Sequence, residues 1–167
     1  MHALYLVSVW LHILAATAWV GGIFFLIFVV VPWLRQGDRA LAASVMRATG
    51  ARFRNVGWAC FAIVLLTGTF NLWMRGVRFE NFVQLEWLTS DFGKAVVLKL
   101  GVFVLVLLLS AFHDFVLGPM ATQAIERDPR SADAEGLRKK ASWMGRGTAV
   151  LALVLVALAV VIVRGWP

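Results

Sequence analysis

Two histidines and a lysine stand inside otherwise apolar stretches, and their spacing gives the chain its candidate chemistry. His12 lies in Tyr5 to Leu34, YLVSVWLHILAATAWVGGIFFLIFVVVPWL, thirty residues with no charged side chain. A bilayer core takes about 20 apolar residues of helix, so this stretch spans and holds an imidazole where water is scarce. An ionisable group so placed points to function by default; the alternative is a structural histidine bonded to a neighbouring hydroxyl or carbonyl. Lys99 and His113 lie fourteen residues apart on one stripe of a later apolar run, with Val102, Val106 and Ser110 between them, a rise of about four helical turns. Lys99 could snorkel to the headgroups or hold an acidic ligand, and His113, near the inner end, can be solvated at the interface. Asp114 should point roughly 100° away from His113, so the two are not expected to pair.

Positioning these groups requires helices that cross a membrane. Four apolar segments, near 3–34, 55–74, 95–118 and 147–163, are each close to spanning length. Backbone groups in lipid must be paired within the segment, which makes each a helix. The expected fold is all-α, a single domain over 1–167: an integral membrane four-helix bundle in up-down-up-down order. Arg35, Arg39, Arg47, Arg52 and Arg54 fill the first connection, and Arg127, Arg130, Arg138, Lys139, Lys140 and Arg146 the third, against Arg75, Arg78 and Lys94 in the second. Positive loops stay cytoplasmic, so both termini face outward, N-out and C-out. The second connection, with Phe79, Phe82, Leu85 and Trp87 among Glu80, Glu86 and Asp91, suits a short helix in the outer interface. Trp33, Trp58, Trp73, Trp143 and Trp166 fall near span ends, as an aromatic belt requires. The inner connections read as helical extensions of the spans, from Asp38 to Thr49 and from Pro119 to Arg127, the latter before a turn at Asp128-Pro129.

Composition excludes several classes. With 61% hydrophobic residues and a mean hydropathy of +0.83, the chain is a multi-pass membrane protein rather than a soluble domain. Its net charge of +7 is accounted for by the connections, so nucleic acid is not an expected partner. Cys60 alone can form neither an intrachain disulfide nor a CxxC site and reads as a small apolar helix residue. LAATA superficially resembles a signal-peptide cleavage site, but no Lys or Arg precedes the run and it exceeds a typical h-region; the segment reads as retained.

On a helical wheel His12 shares a face with Tyr5, Ser8, Ala15, Ala16, Trp19 and Ile23, opposite Leu6, Trp10, Leu14, Phe24 and Phe28. The small or polar face should look into the bundle and the bulky one toward lipid. These residues carry a resemblance. Leu11-His12, then WVGG from Trp19, Pro32 late in the span, RFRNVGW opening the second helix, GKAVVLKL and FHDFVLGP in the third and a final RGWP resemble the copper-resistance protein D (CopD) family of bacterial membrane proteins. That resemblance implies copper passage or sequestration at the inner membrane. A more distant similarity is to HemJ-type protoporphyrinogen oxidases, whose first-span histidine is associated with haem b. It implies that role for His12 and matches that family's lysine to Lys99, while the interval from Lys99 to His113 is longer here.

The residues discriminate between the two cofactors. Cu(I) prefers thiolate and thioether ligands, yet Met1, Met46, Met74, Met120 and Met144 sit at the terminus or near span ends, leaving only an outer-surface group of His2, the terminal amine and Met74. Haem b needs an axial histidine, a slot edged by small residues, and cations near its propionates. His12, Ala15-Ala16, Gly21-Gly22, Gly68 between Thr67 and Thr69, Trp19, and Lys99 or Arg75 meet that list. Thr67 and Gly68 should lie at the depth of His12. His12 is expected roughly 13 Å below the outer end and His113 nearer 28 Å, so His113 would serve a second haem or none. The expectation is therefore haem b on His12, with redox or small-molecule chemistry and an electron-transfer or small-molecule partner. The alternatives are copper transport and a cofactor-free structural subunit, and small-residue faces make a homodimer plausible.

Overall fold

The computed structural model describes residues 1–36, 39–128 and 130–166. Among these residues all regular structure is helical. Four helices are long and apolar enough to cross a membrane: α1 (His2–Leu34), α2 (Arg39–Met74), α3 (Asp91–Arg127) and α4 (Ala132–Arg164). α2 and α4 exceed the expected spans because their inner ends continue as charged helix, at Arg47 to Arg54 in α2 and at Ala132 to Arg146 in α4. The expected starting point at Asp38 and the turn residue Pro129 lie outside the described residues.

Prolines do not end the spans. Pro32 and Pro119 each follow a π-helical turn, Leu26–Val30 in α1 and His113–Leu117 in α3, and the helix runs on afterwards. A proline ring lacks an N–H and collides with the carbonyl four residues back. Phe28 and Phe115 own those carbonyls, and both lie within the widened turns, which take up the misfit.

α1 packs along α2 and α3 along α4, giving two hairpins that meet through α1 and α4 and through the inner part of α3. The core is one layer drawn from all four helices: Ala15, Trp19 and Ile23; Cys60 and Phe61; Val106; Ala149 and Ala152. Trp19 lies 4.9 Å from Phe61 between ring centres, and Phe61 meets Trp58 edge-on at 5.5 Å. On α1 the buried residues are Ser8, Ala15, Trp19 and Ile23, while Leu6, Trp10, Leu14 and Phe28 are exposed. The inward and lipid-facing sides are therefore those the wheel predicts, except that Phe24 packs against the core.

Between α2 and α3 a 3-10 turn, Phe79–Val83, leads into a short helix, Leu85–Thr89. Phe79 is 91% exposed and Leu85 75%, which suits a segment resting in the outer interface. Ser90 caps α3 by accepting from the Gly93 amide at 3.1 Å. Gly93 has no room for a side chain, since a Cβ would run into the Trp87 carbonyl. The Trp166 indole donates to the Asp91 carbonyl at 3.0 Å, fastening the end of α4 to the start of α3.

Candidate functional site

His12 meets α2 at Thr67, where its Nδ1 lies 2.9 Å from the threonine Oγ1. The Thr67 hydroxyl donates to the Ile63 carbonyl at 2.5 Å. A hydroxyl has one proton to give, so toward the imidazole it can only accept. With Nδ1 as the donor, Nε2 keeps its lone pair. That is the arrangement of a metal-binding histidine, whose far nitrogen is oriented through a hydrogen bond from the near one. Gly68 lies close beneath the ring, where a Cβ would be 3.1 Å from His12 Cε1. The expected common depth of His12, Thr67 and Gly68 is thus found.

The outer half around this ring is polar and basic. Ser8 donates to the Thr67 carbonyl at 3.5 Å. Arg75 donates through Nε to the Tyr5 hydroxyl at 3.3 Å. Lys99, half-buried on α3, lies near enough for its charge to act on His12, and the Arg75 charge acts on Lys99 in turn. His12, Gly68, Lys99 and Arg75 are thus brought into one region. Trp19 is not; it lies in the aromatic core, its indole against Gly57.

One residue of this region escaped the sequence reading. Asn71 lies four residues after Thr67 and four before Arg75, on the same α2 face, and its buried Oδ1 has no hydrogen-bond partner. The signal available was that spacing: three polar side chains, one per turn, in an apolar helix.

His113 belongs elsewhere. Its Nδ1 lies 3.1 Å from Asp114 Oδ1, which corrects the expectation that these neighbours diverge. The π turn beginning at His113 is wider than an α turn, so successive side chains separate by a smaller angle. Asp114 Oδ2 accepts from the Trp58 indole at 3.0 Å, and its backbone carbonyl accepts from Arg54 at 3.4 Å. Trp58 is nine residues from Thr67 along α2, or roughly 13 Å, so the two histidines stand at different depths, as expected. Among the described residues no three His, Cys, Asp or Glu side chains gather as a metal site.

A family model described as copper resistance protein D matches residues 47–162, a range that includes Thr67, Asn71, Arg75, Lys99 and His113 but not His12. The chain is 29% identical over 157 residues to an uncharacterised protein of Aquifex aeolicus, covering 93% of each. It is 27% identical over 127 residues to the copper transport protein CutJ of Bacillus subtilis, covering 76% of this chain and 22% of that longer protein. No solved structure matches.

Proposed function

The chain belongs to the copper resistance protein D family, and from that premise we propose that it handles copper at a bacterial inner membrane, with His12 as the metal ligand within the bilayer. The observation that carries this reading is the Thr67 hydroxyl, which takes the Nδ1 hydrogen and leaves Nε2 free to bind a metal. The similarity to a copper transport protein supports copper as the ion carried. Lys99 and Arg75 make a bare cation costly at this depth, so copper would enter with its own anion, which those two side chains would face.

A second reading is favoured by the same two cations. Haem b brings a metal for Nε2 and two propionates for Lys99 and Arg75, so the residues fit the group at both of its ends. Bound there, haem would supply electron-transfer or small-gas chemistry. His12 would hold the iron, Lys99 and Arg75 would orient the carboxylates, and the lipid-facing helices would exclude bulk water.

Spectra and metal analysis of the purified full chain separate the readings. Copper bound in proportion to protein and lost in His12→Ala, without a Soret band, is the expected result. A Soret band lost in that variant establishes haem instead. Retention of either metal by His12→Ala overturns the assignment of His12.

A further inference from the structure

We propose that the inner end of the hairpin formed by α1 and α2 binds an anionic phospholipid of the cytoplasmic leaflet, with the phosphate on Arg52 and the upper acyl chains in the groove that Arg52 lines. The inference is independent of the copper and haem readings and uses none of their residues.

The two helices leave a groove of about 370 Å³ here, with Ala18 and Gly22 on one side and Thr49, Arg52, Phe53 and Val56 on the other. A Cβ at Gly22 would run into the Phe53 ring, so backbone and an aromatic edge wall the groove at that point. Along α1, Gly22 lies about 26 Å from Tyr5, within a hydrocarbon core about 30 Å thick. The groove therefore belongs to the inner leaflet. Ala18 and Val56 are exposed, and in a membrane what they face is lipid. Arg52 stands about one turn inward of Val56 along α2, toward the headgroups. An occupant must then be apolar at one end and negative at the other, as a phospholipid is.

The charges select the headgroup. Arg47, Arg52 and Arg54 stand at this end of α2, and two of them are engaged by the protein. Arg47 pairs with Glu126, while Arg54 donates to the Asp114 carbonyl and lies 5.7 Å from the Phe115 ring centre. Arg52 makes no hydrogen bond or ion pair among the described residues, and it is exposed on the groove. A guanidinium presents a planar fork that meets two phosphate oxygens at once, and its stem can lie along apolar surface while the head reaches the interface. No Asp or Glu is among the described residues that line the groove, so nothing there would meet the ammonium of a choline or ethanolamine headgroup. A glycerol headgroup leaves the phosphate charge unbalanced, which matches a lone arginine; basic pockets between helices on the cytoplasmic side are a recurrent form of anionic-lipid site.

The test is native mass spectrometry of the full-length, lipid-stripped protein in detergent, titrated with phosphatidylglycerol or phosphatidylcholine of the same acyl chains. The wild type should bind the first phosphatidylglycerol about fivefold or more tightly than phosphatidylcholine. Arg52→Gln should bring the two lipids level, and Arg52→Lys should keep part of the preference. Ala18→Phe fills the groove from an exposed position and should weaken both lipids. Arg146→Gln removes an inner arginine that lies over the Trp143 ring, outside the groove, and should change nothing. Equal affinity of the wild type for the two lipids overturns the proposal, as does a preference that survives Arg52→Gln or binding that Ala18→Phe leaves intact. A loss in Arg146→Gln as large as that in Arg52→Gln also overturns it, because the preference would then belong to the basic inner surface at large.

Discussion

Thr67 decides what His12 can do. With its own proton given to Ile63, the threonine stands 2.9 Å from Nδ1 as an acceptor, the arrangement that goes with a free Nε2. Replacing it by valine keeps the shape and removes the acceptor. On the proposed reading of His12 as a ligand, Thr67→Val should lower metal affinity about 10–100-fold, the usual cost of deleting a partner behind a liganding histidine, while Thr67→Ser should retain most of it; equilibrium metal titration checks both. Gly68 gives a complementary test. An alanine there gains about 1 kcal/mol of helix propensity, but its Cβ would sit 3.1 Å from the ring. On the proposed metal reading, Gly68→Ala should therefore shift the ring and weaken metal binding while the bundle stays folded, read as unaltered far-ultraviolet dichroism beside a displaced titration. At this scale the sequence exposed the histidine, because an imidazole in a charge-free run stands out. It hid Asn71, whose interest lies in lacking a partner, a property that no residue has until its neighbours are placed.

At the scale of elements, the α3 π turn, His113–Leu117, has the largest local effect. It carries the helix past Pro119 and turns Asp114 so that one carboxylate meets both His113 and the Trp58 indole. Trp58→Phe leaves an aromatic ring but no N–H, and should cost about 1–2 kcal/mol for the half-buried acceptor left behind, measured as a fall in unfolding temperature. The Arg47–Glu126 ion pair also ties α2 to α3, but its side chains are 53% and 51% exposed. Arg47→Ala should change stability by about 0.5 kcal/mol or less. Both helices read from the sequence as running on past their late prolines, and only the π turns before them are missed. Hydropathy cannot register a change of helical pitch, since the π turns are built from the same Leu, Phe and Val as the α-helix around them.

For the whole molecule, charge in the connections sets a direction. Arg and Lys are dense between α1 and α2 and between α3 and α4, and sparse in the loop that carries Phe79 and Leu85, which places that loop outside. In a Cys60→Ala background, a membrane-impermeant thiol reagent applied to intact spheroplasts should label Gln84→Cys and spare Asp133→Cys until the cells are opened. The reverse pattern would invert the bundle and put the His12 region on the cytoplasmic side.

The sequence by itself determined four apolar helices, their order, the face α1 turns inward and the common level of His12 and Thr67, because each follows from a period, a length or a count along one chain. Only the tertiary structure decided that Thr67 meets His12, that Lys99 and Arg75 approach the same region, that Trp19 belongs to the core and that Asn71 is left without a partner. Those facts depend on how two helices are rotated and offset against each other. That choice is made by packing across all four helices at once, and no single segment encodes it.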